Sequence, residues 1–175
     1  MMKPVKNRNV VLVGFMGSGK SLAAQMLHQR LQWPCFSTDY LIEQKEKKSI
    51  SVIFKNSGEA HFRELEQGVV KDLAARQGII IDCGGGVVLN PENIRLLKKN
   101  GTVFYLKASA EVIYERIKNE KHRPLLDTDN PLQKIKTLLN QRQVLYEQAD
   151  FVVDANDKSV LLPVEEILNK MKENL

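Results

Sequence analysis

The stretch Val10–Ser21, which reads VVLVGFMGSGKS, decides the fold of this chain. Its first four residues are branched and apolar, and they predict a short buried strand. The next eight residues, Gly14–Ser21, match the pattern Gly-x-x-x-x-Gly-Lys-Ser/Thr completely. A strand before this pattern and a helix after it are the context that the pattern requires. There the glycines allow backbone N–H groups to surround phosphates at a helix N-terminus, so Gly14–Ser21 is called the phosphate loop below.

Two side chains of the phosphate loop indicate that the phosphates belong to a nucleoside triphosphate with Mg²⁺. We expect Lys20 to reach the β- and γ-phosphates and the Ser21 hydroxyl to be a ligand of the Mg²⁺ ion. Four further residues of this segment are predicted to bind ATP: Gly17, Ser18, Gly19 and Leu22. The motif alone does not identify the second substrate.

Outward from this loop, short apolar runs alternate with helical patterns to the end of the chain. The runs predict strands at residues 10–13, 35–37, 79–81, 102–106 and 151–153. The intervening patterns predict helices at residues 21–31, 40–47, 59–76, from 91, 109–117, 132–148 and 160–172. Continuous apolar strands separated by helices favour a parallel sheet with helices on both faces. We therefore predict an α/β fold of three αβα layers around five parallel strands.

Length and composition exclude several classes of protein. The chain has 175 residues, of which 43% are hydrophobic and 27% charged, so we expect a single globular domain over residues 1–175. The net charge is +5, but acids interrupt the basic residues and only 6% of residues are aromatic, so we expect no nucleic-acid binding. The chain contains no apolar run of membrane-spanning length and no signal-peptide core at its polar start. We expect a cytoplasmic protein that binds no membrane.

Five further segments, in this order along the chain, resemble the shikimate kinase family of phosphate-loop enzymes. They are Ser37–Asp39, Gly58–Glu66 (GEAHFRELE), Gly84–Gly86, Arg123–Leu126 (RPLL) and Arg142–Tyr146 (RQVLY). With the phosphate loop they cover nearly the whole chain. The resemblance implies a monomeric enzyme with the phosphate-loop kinase fold and a mobile lid at about residues 118–130. It also implies transfer of the γ-phosphoryl group of Mg-ATP to the 3-hydroxyl of shikimate, a step toward chorismate and the aromatic amino acids.

The same resemblance assigns residues to the acceptor. Asp39 would bind ring hydroxyls and accept the proton of the attacking one, a role suited to a carboxylate at a strand's carboxyl edge. Arg63 and Arg142 would bind the substrate carboxylate, which a guanidinium matches with two hydrogen bonds. The backbone of Gly84, Gly85 and Gly86 would approach the substrate closely. From its helical neighbours alone, Arg63 is better explained as part of a solvated helix face, paired with Glu59 and Glu66.

Three more residues are assigned to the nucleotide side by the resemblance. Arg123, in the predicted lid, would act as a catalytic residue by stabilising charge on the transferring phosphoryl group. Arg116 would contact ATP, although a salt bridge on its helix face explains it as well. Lys158 lies in a polar segment after the last strand that would border the adenine ring.

Two positions depart from the family pattern. The family has Asp-x-Asp after its second strand, and the first Asp helps to hold Mg²⁺ through water, but Ser37 stands there in this chain. Asp82 ends the third predicted strand, where the family usually has Ser. We predict that Asp82 replaces the missing Asp and helps to hold Mg²⁺ through water. The alternative is that Asp82 only caps a turn and that Ser37 is tolerated.

Two other functions remain open from the sequence. The first is a different small-molecule kinase, such as a gluconate or adenylate kinase, against which the pairing of Arg63 with Arg142 argues. The second is a nucleotide-binding relative without kinase activity, which the missing carboxylate at Ser37 keeps open.

Overall fold

The computed structural model of the protein describes residues 8–120 and 128–173. Five parallel strands form one sheet in the order β2-β3-β1-β4-β5. They are β1 Asn9–Val13, β2 Cys35–Ser37, β3 Ile80–Asp82, β4 Gly101–Lys107 and β5 Phe151–Asp154. The predicted α/β fold with a five-stranded parallel sheet is confirmed.

Helices cover the sheet and connect its strands. They are α1 Lys20–Leu31, α2 Thr38–Glu46, α3 Ile50–Ala74, α4 Pro91–Asn100, α5 Ala110–Ile117, α6 Pro131–Tyr146 and α7 Leu161–Glu173, with a short 3-10 helix at Val87–Leu89. All five residues of β1 are buried, and the last four, Val10–Val13, form the apolar run that predicted this strand. Apolar residues of α1, α3, α5 and α7 join the same buried core.

The strand register brings three chain segments to one edge of the sheet. Leu12 of β1 and Ser37 of β2 both lie opposite Asp82 of β3. Because these strands are parallel, the segments that follow them leave the sheet side by side. This carboxyl edge is where open α/β sheets bind ligands.

Helix α3 is longer than predicted. Residues 50–57 are also helical and precede the helix predicted at residues 59–76. Gly58 separates these two helical parts with a φ of 80° and a ψ of 173°. The earlier part begins at a residue type that favours helix starts: Ser49 caps it by accepting the N–H of Val52 at 3.4 Å, and Ile53 is buried.

The predicted lid lies between α5 and α6. Its described ends, residues 118–120 and 128–130, belong to no helix or strand, whereas residues 121–127, including Arg123, lie outside the described residues. In the described part of the chain, no helix is long and apolar enough to cross a membrane.

Candidate active site

The phosphate loop joins the end of β1 to the start of α1. Gly17 has a φ of 76°, and a Cβ atom there would come within 2.7 Å of Ile117 Cγ2, so both conformation and space require glycine. The helix begins at Lys20, which points the free N–H groups and positive dipole end of a 12-residue helix at the loop. This geometry favours a bound anion.

Lys20 lies against the loop that precedes it. Its side chain is buried, and Nζ donates a hydrogen bond of 3.0 Å to the carbonyl oxygen of Phe15. The positive charge of Lys20 lowers the pKa values of Asp39 and Asp82. Burial raises both pKa values by more than Lys20 lowers them. Lys20 is therefore close to both carboxylates at the sheet edge.

Ser21 and Asp82 form a direct pair. The Ser21 hydroxyl donates to Asp82 Oδ2 at 2.7 Å across the gap between α1 and β3. Burial raises the pKa of Asp82, while Lys20 and the Ser21 hydrogen bond oppose that shift. A hydroxyl and a carboxylate that share one spot supply the hard oxygen atoms that Mg²⁺ prefers, so these residues fit a magnesium site.

Ser37, the residue beside Asp82 in the sheet, has a local structural role. It is the N-cap of α2, and its hydroxyl accepts the N–H of Tyr40 at 3.3 Å. Asp39 is in the first turn of that helix, so the cap is Ser37 rather than Asp39. Serine is a favoured N-cap residue, which gives Ser37 a function that does not depend on metal.

A cavity of about 380 Å³ connects these groups. Its lining contains phosphate-loop residues, carboxylates and the start of the Gly84–Gly86 segment: Met16, Gly17, Lys20, Ser21, Ser37, Asp39, Tyr40, Glu43, Asp82, Cys83, Gly84 and Gly85. One space therefore borders both the predicted phosphate site and the predicted base. We call it the acceptor cavity.

Asp39 is the carboxylate that faces this cavity from α2. Burial raises its pKa, Asp82 and Glu43 raise it further by repulsion, and Lys20 and Arg63 lower it. A carboxylate with a raised pKa accepts a proton more readily than an exposed one, provided that it is ionised at the working pH. The nearby cations Lys20 and Arg63 favour the ionised form.

The glycine loop, Gly84–Gly86, lies between the groups predicted to contact the acceptor. A Cβ atom on Gly84 would collide with the Asp39 carboxylate, and one on Gly86 would collide with the Arg63 guanidinium. At Gly85 it would come within 3.3 Å of the Met16 backbone nitrogen in the phosphate loop. The absence of side chains here is what lets three different elements approach one segment.

Arg63 is held by two carboxylates on its own helix. Nη1 donates to Glu66 at 2.8 Å and Nη2 donates to Glu59 at 3.0 Å. Glu66 is fully buried, and its Oε1 atom has no hydrogen-bond partner in the described structure. Burial raises the pKa of Glu66, and the hydrogen bond from Arg63 opposes this effect. Arg63 therefore forms the ion pairs expected from its helical neighbours and also lies against Gly86 of the glycine loop.

Arg142 reaches the site from α6. Its guanidinium carbon lies 5.8 Å from the centre of the Phe15 ring, which belongs to the phosphate loop. Four residues later on the same helix, the Tyr146 hydroxyl donates to the carbonyl oxygen of Gly85. Helix α6 is therefore joined to both loops.

Arg116 connects the phosphate loop with the segment after β5. Its guanidinium donates to the carbonyl oxygen of Ser18 at 3.2 Å and to those of Ala155 at 2.8 Å and Asp157 at 2.6 Å. Arg116 and Lys158 also line one cavity of about 420 Å³. The predicted adenine border and the predicted nucleotide arginine are therefore adjacent.

Comparison with known proteins agrees with this geometry. A family model described as shikimate kinase matches residues 16–174. The chain belongs to the shikimate kinase family. A curated shikimate kinase from Pelotomaculum thermopropionicum is 42% identical over 95% of this chain and 97% of its own length.

Solved structures of shikimate kinases have the same fold. One from Acinetobacter baumannii, in complex with shikimate, superposes with a TM-score of 0.90 at 33% identity, covering 95% of this chain and 94% of that one. Another, from Aquifex aeolicus, has a TM-score of 0.83 at 38% identity and covers 95% of this chain and 97% of that one.

The structure brings most, but not all, of the residues predicted from the shikimate kinase pattern to one place. Arg63 and Arg142 do not line the acceptor cavity, and they lie instead against Gly86 and Phe15. Leu22 is 53% exposed on α1. Arg123 lies outside the described residues.

Two residues with clear roles at this site were not singled out from the sequence. Thr38 accepts the N–H of Gly84 at 2.8 Å, and Tyr146 donates to the carbonyl oxygen of Gly85. Glu66, which the helical spacing predicts as an ion-pair partner of Arg63, does hold that side chain. The spacing of Arg142 and Tyr146 by one helical turn is a signal that places both on one face. The contacts of Thr38 depend on strand register and have no local signal.

Proposed function

We propose that this chain transfers the γ-phosphoryl group of Mg-ATP to the 3-hydroxyl of shikimate, with Asp39 as the base. Membership of the shikimate kinase family supports the reaction. The observation that carries the residue roles is the acceptor cavity, because phosphate-loop residues and the Asp39 carboxylate line the same space. Phosphoryl transfer needs this proximity, since most of its catalysis comes from positioning and charge stabilisation.

The acceptor is a ring that carries hydroxyls and one carboxylate, and the residues around the glycine loop match both groups. Asp39 accepts hydrogen bonds from ring hydroxyls and takes the proton of the attacking one. Arg63 and Arg142 bind the carboxylate, and Glu59 and Glu66 hold the Arg63 fork in one orientation. Gly84, Gly85 and Gly86 let the backbone reach the ring.

The nucleotide occupies the other end of the site. The backbone N–H groups of the phosphate loop bind the phosphates, Lys20 binds the β- and γ-phosphates, and Gly17, Ser18, Gly19 and Leu22 complete that segment. Arg116 and Lys158 border the adenine, supported by the cavity that they share. For Arg123, the assignment as the arginine that stabilises transferring charge rests on the family resemblance alone.

Mg²⁺ is the metal that this donor set suits. Ser21 would bind it directly and Asp82 would bind its water shell, a pairing supported by their 2.7 Å hydrogen bond. When bound, the ion neutralises charge on the phosphates. The hydroxyl of Ser37 lines the same cavity but is committed to capping α2.

The decisive experiment measures ADP release at fixed Mg-ATP with shikimate, gluconate, AMP or no acceptor. We expect turnover above the no-acceptor rate with shikimate alone. A shikimate analogue without its carboxylate is the matched control, and it is expected to need a far higher concentration because Arg63 and Arg142 lose their partner.

The other possible outcomes identify the alternatives. Equal turnover of gluconate or AMP would assign the chain to another kinase activity. Nucleotide binding without release of ADP on any acceptor would identify a non-catalytic relative.

A further inference from the structure

The glycine loop has no side chains of its own, so other elements must fix its conformation. Glycine loses more backbone freedom on ordering than any other residue. Within the loop region, the carbonyl oxygens of Gly84 and Gly86 accept the N–H groups of Val87 at 3.1 Å and Leu89 at 3.0 Å. These bonds belong to the local turn and do not attach it to the rest of the site.

Among residues 8–120 and 128–173, two side chains attach the loop to its surroundings by hydrogen bonds. The Thr38 hydroxyl accepts the N–H of Gly84 at 2.8 Å, which ties the loop to the start of α2. The Tyr146 hydroxyl donates to the Gly85 carbonyl oxygen, which ties it to the end of α6. Because the peptide unit is planar, a fixed carbonyl oxygen also fixes the Gly85–Gly86 peptide plane.

Tyr146 is itself rigidly placed. Its side chain is fully buried, and its ring stacks on Tyr105 of β4 with centroids 5.0 Å apart and planes 16° apart. Burial raises the pKa of Tyr146 to about 12, so the hydroxyl is a neutral donor throughout the physiological range. The stacked pair anchors the hydroxyl on the central sheet.

Tyr146 also acts on the arginine of its own helix. Arg142 lies one turn earlier, and its charge opposes the effect of burial on the Tyr146 pKa, as does the charge of Arg63. The hydroxyl is therefore close to both guanidinium groups that we assign to the acceptor carboxylate. The Tyr146 hydroxyl thus contacts the glycine loop within the electrostatic reach of both cations.

We propose that Tyr146 is a positioning residue of the acceptor site, which sets the glycine loop relative to Arg142. This inference rests on the proposed function. The Tyr146 hydroxyl does not touch the reacting atoms, so its loss weakens acceptor binding and leaves the nucleotide end unchanged. Without it the glycine loop regains freedom that acceptor binding must then remove.

The test compares Tyr146→Phe with Tyr105→Phe as a matched control. Both substitutions keep the stacked rings and remove one hydroxyl, but the Tyr105 hydroxyl makes no hydrogen bond to the described residues. We expect Tyr146→Phe to raise the KM and the calorimetric Kd for shikimate about three- to tenfold, the effect of one ordinary hydrogen bond. The kcat and the KM for ATP are expected to stay within about twofold, as are all four constants of Tyr105→Phe.

Amide hydrogen exchange supplies a readout that does not need activity. In Tyr146→Phe, peptides that cover the glycine loop should exchange faster, whereas those of β1 should match the parent. This measurement on the apo protein remains decisive if the variant melts at a lower temperature than the parent.

Three outcomes would overturn the inference: unchanged shikimate affinity in Tyr146→Phe, equal losses for shikimate and ATP, or unchanged exchange in the glycine loop. Failure of the proposed function is separable from these results. In that case the parent enzyme itself would release no ADP with shikimate.

Discussion

The two ends of the active site are built in different ways. The phosphate end is a single continuous segment, Gly14–Ser21, in which we propose that backbone N–H groups and one helix end bind the phosphates. The acceptor end is assembled from β2, α2, α3, α6 and the loop after β3, and its contacts are made by side chains. The first depends on local conformation and the second on tertiary packing.

This difference predicts that the acceptor end can be damaged while the phosphate end continues to bind nucleotide. The glycine loop is where the comparison is sharpest, because Gly84 and Gly86 meet acceptor side chains and Gly85 meets the phosphate loop. Substitutions at the acceptor end and at the phosphate end should therefore affect acceptor turnover and nucleotide binding separately.

The largest effect is expected for Asp39→Asn. The amide keeps the size of the carboxylate but cannot take the proton of the attacking hydroxyl, so kcat should fall by about 10²- to 10⁴-fold. The affinity for ATP should change less than about twofold, because the phosphate loop does not depend on Asp39. Steady-state kinetics measures the fall in kcat, and a direct binding experiment measures the affinity for ATP. An equal loss of ATP affinity would contradict the separation of the two ends.

A somewhat smaller effect is expected for Gly84→Ala. The new Cβ atom would collide with the Asp39 carboxylate and displace the base from the acceptor. Small displacements of reacting groups cost up to about 100-fold, so kcat/KM for shikimate should fall by about 10- to 100-fold.

Gly68→Ala is the matched control for that substitution. Gly68 lies inside α3, where a Cβ atom would meet nothing within 4 Å. The variant should keep its activity and gain about 0.5–1 kcal/mol of stability from the better helix former. A Gly84→Ala variant as active as Gly68→Ala would show that the glycine loop is an ordinary turn.

The same contrast explains what could be predicted from the sequence. The phosphate loop, the strand before it and the helix after it are predicted from contiguous residues, because their structure is local. The grouping of Asp39, Arg63 and Arg142, which lie far apart in the chain, came only from the family resemblance. Asp39 has a local signal, since it follows a predicted strand, but the local sequence of Arg63 indicates only an ion pair on a helix face.

The ion pairs of Arg63 with Glu59 and Glu66 follow from helical spacing, but the contacts that hold the glycine loop could not be predicted. Thr38 meets Gly84 because β2 lies beside β3 in one register, and Tyr146 meets Gly85 because α6 packs beside the loop. Both facts belong to the assembled sheet and its helices. The early part of α3 is different, since Ser49 and the buried Ile53 after it are local signals of a helix start.

A third prediction concerns Asp82, the residue that joins the two ends through Ser21. If Asp82 orders the water shell of Mg²⁺, Asp82→Ser should raise the Mg²⁺ concentration for half-maximal nucleotide binding by about tenfold, as loss of an outer-shell partner does. Adding Ser37→Asp restores the family arrangement, because Ser37 lies opposite Asp82 in the sheet and Asp also caps helices well. The double variant should bind better than Asp82→Ser alone.

The single variant Ser37→Asp completes this cycle. It places a second carboxylate beside Asp82, so like-charge repulsion should give little gain or a loss. Calorimetric Mg²⁺ titrations of nucleotide binding on all four proteins measure the coupling. Strictly additive effects would leave Asp82 as a turn residue without a metal role.

The smallest effect tests the electrostatics of the acceptor end alone. Burial is the main cause of the raised pKa of Asp39, and the charges of Asp82 and Glu43 raise it further. Glu43→Gln removes one of these charges, and its amide oxygen can still accept the N–H of Ile50, which Glu43 now accepts at 2.9 Å. The pKa of Asp39 should therefore fall, because one of the negative charges that raise it is removed.

The sign of the effect on activity follows from the role of Asp39 as base. Activity is lost as the pH falls through the pKa of an ionised base, so a lower pKa moves the acid limb of kcat/KM for shikimate to lower pH. Glu46→Gln is the matched control, because it removes the same charge from α2 at a residue that neither lines the acceptor cavity nor perturbs Asp39. An acid limb that shifts equally in both variants would mean that net charge, rather than the neighbourhood of Asp39, sets the profile. A limb that shifts upward in Glu43→Gln would mean that Asp39 is not the titrating base.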